Sequence, residues 1–282
     1  MKRKIISIVS VIGFLGCAIA LVYPVISDSW NSWRDHLLID SYNAVAQQKS
    51  DKDIDKLLQK AEQYNKELYN DTTNIVRYGY SDRDELYEGQ LNIDKGIMGY
   101  IEIPKIGITE PIYHYSDVDT LERGIGHIKG SSLPIGGINT HCLLTGHRGL
   151  PNRKFFTNLD KVEVNDVFYI HILTKVIAYK VYAIETVLPD EVSSLAIVRG
   201  KDLITLITCT PYGINSHRLL VKAERIDFEV EDNRGTIQRN VAEQEVIIDQ
   251  SIYVLLGFVI FIILLFIVRL VQRIKRKGGA EH

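Results

Sequence analysis

Cysteine is scarce in this 282-residue chain, which has 3, at Cys17, Cys142 and Cys209. Exported domains stapled by disulfides carry a dense and even set, so disulfides are excluded as the organising device. No Cys-x-x-Cys pair and no His-Glu-x-x-His stretch occurs, which removes the common zinc patterns, and no metal is expected. Gly136-Gly137 lacks the lysine and helix that should follow a phosphate-binding loop, so no nucleotide cofactor is expected either. Positive charge is not in excess: 33 Lys and Arg face 35 Asp and Glu, for a formal net charge of −2. The basic clusters sit at the two chain ends, and a nucleic-acid partner is excluded on that basis. Internal repeats and low-complexity tracts are absent.

Long hydrophobic runs, by contrast, are present at both ends. Ile5 to Ile26 is apolar apart from two serines and follows Lys2, Arg3 and Lys4. Ile252 to Val268 carries no charge, and apolar character continues past Arg269 to Val271, ahead of Arg273, Lys275, Arg276 and Lys277. Each run approaches the roughly 20 residues that cross a bilayer. Cationic flanks favour the cytoplasmic side, so both termini are expected inside and residues 27–250 outside, on a cell membrane. Ala18-Ile19-Ala20 offers a rival signal-peptidase site and Phe14-Leu15-Gly16-Cys17 a poor lipoprotein box. Apolar sequence runs on through Val25 and Ile26, which favours an uncleaved anchor.

The chain divides by pattern into a cytoplasmic tip (1–4), a membrane or signal segment (5–26), a helical extension (27–96), a β domain (97–231), a polar stalk (232–250), a second span (251–271) and a basic tail (272–282). Within the extension, Ile54, Leu57, Leu58, Ala61, Tyr64 and Leu68 recur at helical spacing, with Asp51 or Asp53 as the cap, and a second helix is expected over Trp33 to Gln48. Tyr80 to Glu85 reads as a charged loop. From Ile97 the period changes to two: Tyr100-Ile101-Glu102-Ile103 alternates, and strands are expected at 108–113, 124–128, 139–145, 167–172, 176–187, 203–209 and 218–225. A brief helix is expected at Phe155 to Leu159. The fold class is mainly β, closed or sandwich-like.

Chemistry concentrates at two strand ends. Thr205-Leu206-Ile207-Thr208-Cys209 delivers a thiol to a rim, and a Pro, Gly and Asn turn leads to Arg218 at the start of the next apolar run. A thiol attacks as thiolate, so it needs a basic neighbour, and the anion it creates needs a fixed donor. Leu143-Leu144-Thr145-Gly146-His147 offers the base at a second strand end, and His127, also beside a glycine, is the rival. Cys209 and His147 lie 62 positions apart (209 − 147), so only the fold can bring them together. Cys142, within an apolar run, is read as core.

These stretches resemble the active-cysteine signature of sortases, specifically the class C, pilin-polymerising branch of Gram-positive bacteria. Ile101-Glu102-Ile103-Pro104-Lys105-Ile106, Gly130-Ser131-Ser132-Leu133-Pro134, Thr145-Gly146-His147-Arg148-Gly149-Leu150-Pro151 and Phe168-Tyr169-Ile170-His171 extend the resemblance over residues 97–225. It implies an eight-stranded barrel with a helical extension and a transmembrane helix at each end. It further implies a cysteine transpeptidase that cuts a Leu-Pro-x-Thr-Gly-like signal through a Cys209 thioacyl intermediate and passes the acyl group to a pilin lysine. His147 is implied as general acid and base and Arg218 as oxyanion stabiliser, with no cofactor. A wall-attaching sortase and an inactive membrane-tethered scaffold are the alternatives. One departure is clear: class C members commonly carry an Asp-Pro-aromatic lid, and no such tripeptide occurs between Ser27 and Gly99. Weak or absent lid inhibition is therefore expected.

Overall fold

Among the residues described by the computed structural model, 2–71, 83–191, 195–227 and 257, eight strands close into a barrel. They are β1 (Ile97–Ile103), β2 (Ile108–His114), β3 (Ile125–His127), β4 (Thr140–Thr145), β5 (Val167–Ile172), β6 (Lys175–Val187), β7 (Asp202–Thr210) and β8 (His217–Arg225). Around the barrel the order is β1-β2-β3-β4-β7-β8-β6-β5, closed by β5 on β1. Two pairings are parallel, β2 with β3 and β4 with β7. Parallel neighbours cannot be joined by a tight hairpin. The long β4 to β7 crossover is thus what lets residues 62 apart share a rim.

The barrel core is built from Ile101, Ile103, Ile112, Leu144, Phe156, Phe168, Ile170, Ile204, Leu206 and Val221, all at or near zero exposure. β7 is buried from Asp202 to Thr208, in keeping with a strand covered on both faces. Cys142 is buried here too, its thiol pushed well up by burial.

Two helices pack on the outside. Helix α1 runs unbroken over Lys2–Gln48, where the sequence suggests a separate span and helix. Its Asp35, Ile39, Tyr42 and Ala46 form one buried face, and the Tyr42 hydroxyl donates to the Met98 carbonyl (2.9 Å) and accepts from Leu173 N–H (2.8 Å). Helix α2 spans Asp51–Asn70. Its cap is Ser50, whose side chain accepts from Asp53 N–H, rather than Asp51 or Asp53. A serine just outside the helix can point its oxygen back at the first-turn amides, which aspartates inside that turn cannot do. Burial of Ile54, Leu58 and Ala61 supplies tertiary support, about 1.5–3 kcal/mol for each large side chain, through the packed apolar face from which most helical stability comes. Asn65 then fixes its position by bonding both the N–H and the carbonyl of Leu133.

Asp84 caps a short helix α3 (Glu85–Glu88), so the charged loop ends one residue earlier than its pattern suggests. Residues 155–158 form turns and only Leu159–Lys161 a 3₁₀ turn, in place of the brief helix at 155–159. Among the described residues no helix is long and apolar enough to cross a membrane. The second span, apart from Gly257, the stalk, the basic tail and most of the segment that would bear a lid (72–82) lie outside the described residues. The chain divides into two units, and Asp28–Val230 is the one that carries the site.

Candidate active site

The register of three adjacent strands builds the site. β4 and β7 run parallel, with Thr145 opposite Ile207, and Gly146 N–H extends the pairing by donating to the Ile207 carbonyl at 3.1 Å. Two residues on along each chain stand His147 and Cys209. On the other side of β7, Cys209 is the direct antiparallel partner of Arg218 in β8. Cys209 and Arg218 are therefore opposed across β7 and β8, and His147 follows two residues beyond the end of β4, the strand on the other side of β7, at the same rim of the barrel. The strand register thus places the backbones of all three sequence candidates at one end of the barrel.

Each member is held differently. Cys209 is a free, half-buried thiol, near the open end of a strand otherwise buried along its length. His147 is only partly exposed, and burial lowers its pKa below the usual imidazole value, with the negative charge of Glu122 acting in the opposite direction. Neutral imidazole is thus favoured at rest, the form that can accept a proton. Among the described residues the Arg218 side chain bonds carbonyl oxygens through its Nη1, those of Asn215 (3.3 Å) and His217 (3.1 Å). Among the described residues no carboxylate pairs with it, so its charge is available for an oxyanion. Arg218→Lys is expected to lower kcat roughly 100-fold with folding intact, because an ammonium cannot reproduce the planar fork. Steady-state peptide cleavage beside a thermal melt measures this.

The glycines beside His147 serve close packing rather than exposure. A Cβ on Gly146 would stand 2.7 Å from Ile125 Cδ1 and 2.9 Å from the Phe156 ring. Gly149 has φ of 82°, and a Cβ there would meet the Tyr212 ring at 3.0 Å. The loop after His147 and the loop after Cys209 are in this way pressed together.

Arg148 completes the junction, and sequence reasoning assigned it no role. Its Nη1 donates to Thr210 Oγ1 (3.2 Å) and its Nη2 to Asp160 (2.5 Å), with the guanidinium 6.0 Å from the Tyr212 ring. Thr208 Oγ1 adds a 2.8 Å bond to the Gly146 carbonyl. The one available signal was adjacency to His147, and an arginine beside a turn is unremarkable without its partners.

His127, the rival base, is fully buried. Its Nδ1 accepts from the Tyr87 hydroxyl at 2.6 Å and its Nε2 faces the Ser132 carbonyl at 2.9 Å, while burial takes its pKa down to about 4. With both nitrogens engaged inside the protein it has no path to a substrate. Cys142 and Cys209 are both free, so no disulfide joins them. No cluster of metal-ligating side chains occurs among the described residues.

Comparison with known proteins finds sortases. The sortase domain model matches residues 101–226. Sortase A of Staphylococcus aureus is 32% identical over 167 residues, spanning 57% of this chain and 74% of that protein. The solved structure of sortase C1 of GBS Pilus Island 1 is 41% identical with a TM-score of 0.65, covering 68% of this chain and 98% of its own. Sortase C-1 of Streptococcus pneumoniae is 36% identical with a TM-score of 0.62, covering 67% and 98%.

Proposed function

The chain belongs to the sortase family, in its class C branch, and from that premise we propose that it is a pilin-polymerising transpeptidase acting on a Leu-Pro-x-Thr-Gly-like sorting signal. The observation that carries the mechanism is the pairing of Cys209 with Arg218 across β7 and β8, with His147 two residues past the end of the adjoining β4. Neutral His147 takes the proton of the Cys209 thiol, and the resulting thiolate attacks the threonine carbonyl carbon, forming a C–S bond and an oxyanion that Arg218 stabilises. The intermediate collapses, the Thr–Gly C–N bond breaks, and protonated His147 gives its proton to the departing glycine amine. Neutral His147 then takes a proton from an incoming lysine amine as its nitrogen attacks the thioester. Cys209 leaves as thiolate and an isopeptide bond remains.

The pilin reading is supported by likeness to a sortase named for a pilus island, and by the covering of almost the whole of that protein. Apolar runs at both ends of the chain support a membrane location with the barrel outside the cell, where exported and still-anchored substrates accumulate. The test supplies the full-length chain with a sorting-signal protein and two acceptors, a lysine-bearing pilin and a cell-wall peptide. A ladder of covalent oligomers on denaturing gels is expected. Single attachment to wall peptide, with no ladder, would establish the wall-anchoring alternative instead.

A further inference from the structure

Three consecutive residues of the loop that follows His147 are gripped by one face of α1. Asn31 Nδ2 donates to the Asn152 carbonyl at 2.9 Å, Arg153 pairs with Asp35, and Lys154 pairs with Asp28 at 3.1 Å. Residues 28, 31 and 35 are spaced so as to share one side of a helix. The three contacts differ in weight. Lys154 is largely exposed, and such a pair contributes little. Arg153 and Asp35 are both nearly inaccessible, their side chains 5% and 3% exposed, and removing either partner leaves a buried charge uncompensated.

Arg153 also lies with its guanidinium 5.1 Å from the centre of the Phe155 ring. Phe155 has a φ of 37°, in the left-handed region that a bulky side chain reaches only under constraint from its surroundings. The next residue, Phe156, returns its N–H to the His147 carbonyl at 3.1 Å, closing the loop on the catalytic backbone. Gly149 N–H donates to Thr157 Oγ1 at 3.1 Å, and Thr157 N–H to the Lys154 carbonyl at 2.7 Å. A continuous chain of contacts thus runs from α1 through Arg153, Phe155 and Phe156 to His147.

We propose that Arg153, held by Asp35 of α1, is a positioning residue for His147. The N-terminal helix then does more than support the barrel, because it sets the placement of the general acid and base through the conformation at Phe155. Arg153 touches no reacting atom. Its contribution is to keep the loop in the one arrangement that aligns the imidazole with Cys209, and small misplacements of a catalytic group cost large factors in rate. The proposal rests on the transpeptidase reading of the site.

The test compares full-length Arg153→Met, Arg153→Lys and Asp35→Asn with the wild-type chain in two assays. In cleavage of a Leu-Pro-x-Thr-Gly peptide, Arg153→Met is expected to lower kcat about 10- to 100-fold while KM stays within about twofold. Arg153→Lys, which keeps the charge opposite Asp35 but not the flat group over Phe155, is expected between Met and wild type. Asp35→Asn, where an amide oxygen still accepts, is expected to lose less than Met. The second assay follows the pH dependence of iodoacetamide labelling mapped to Cys209 and needs no substrate. Its midpoint is expected to move in Arg153→Met as the thiol loses its aligned imidazole. Unchanged kcat and labelling profile beside a lowered melting temperature would reduce Arg153 to a stability role and overturn the proposal. A raised KM at constant kcat would overturn it in favour of substrate contact. Should Arg153→Met fail to fold, the Lys and Asn variants decide by the same readouts. Should the wild type leave the peptide intact, the sorting-signal reading falls while the labelling profile still tests the link to His147.

Discussion

Cys209→Ala is expected to abolish thioacyl formation and product release completely while leaving the barrel folded. Only the thiolate can form the acyl bond, and no second thiol stands ready: Cys142 is buried in the core, with its pKa raised, and Cys17 lies far along the chain in α1. Loss of one half-buried sulfur at a strand end leaves no large cavity, so stability should change by about 1 kcal/mol or less. Intact-mass measurement after incubation with a Leu-Pro-x-Thr-Gly peptide reads the result. The wild type should gain an adduct that hydroxylamine or a lysine amine removes, and the variant should gain none. Full biological activity in Cys209→Ala would return the chain to the inactive-scaffold alternative.

His147→Gln should be nearly as damaging, lowering kcat by roughly 10²- to 10⁴-fold, the usual contribution of a general acid and base. Glutamine keeps polarity and some hydrogen bonding but carries no transferable proton, so the loss reads proton transfer rather than packing. The pH profile gives a second signature. Burial lowers the imidazole pKa, so protonation of the free enzyme's His147 should shape the acid limb of kcat/KM below 6.5, the ordinary histidine value. Glu122 opposes that shift, and high salt, which screens its exposed charge, should move the limb further down. In His147→Gln the limb should vanish. A limb that persists unchanged would assign it to another group, and retention of wild-type kcat would remove His147 from the mechanism.

The strands were legible because they are short, β-branched apolar runs bounded by turn residues. The 108–113 and 203–209 runs are read correctly to within one residue at each end, while the strand read at Tyr100 to Ile103 begins three residues earlier, at Ile97. Short irregular pieces were less legible. The 3₁₀ turn at Leu159–Lys161 and the Ser50 cap depend on where single hydrogen bonds fall, which periodicity does not encode. The rivalry between His147 and His127 illustrates the same limit. Both follow apolar residues beside glycine, and only burial shows that Tyr87 and Ser132 occupy the ring nitrogens of His127.

By itself the sequence determined the local chemistry of this protein: a reactive thiol at a strand end, an arginine after the next turn, a histidine between glycines, and motifs similar to sortases in the right order. What it left to tertiary structure was every relation between elements. The parallel pairing of β4 with β7 converts a separation of 62 residues into adjacent positions on one rim. The Arg148 bridge to Thr210 and Asp160, and the grip of Asp35 on Arg153, likewise join residues whose neighbours in sequence say nothing about them. Helix and strand periods arise from repeated local geometry, so they are written along the chain. A contact between distant segments arises from barrel closure and helix docking, and it exists only once the whole set of strands has paired.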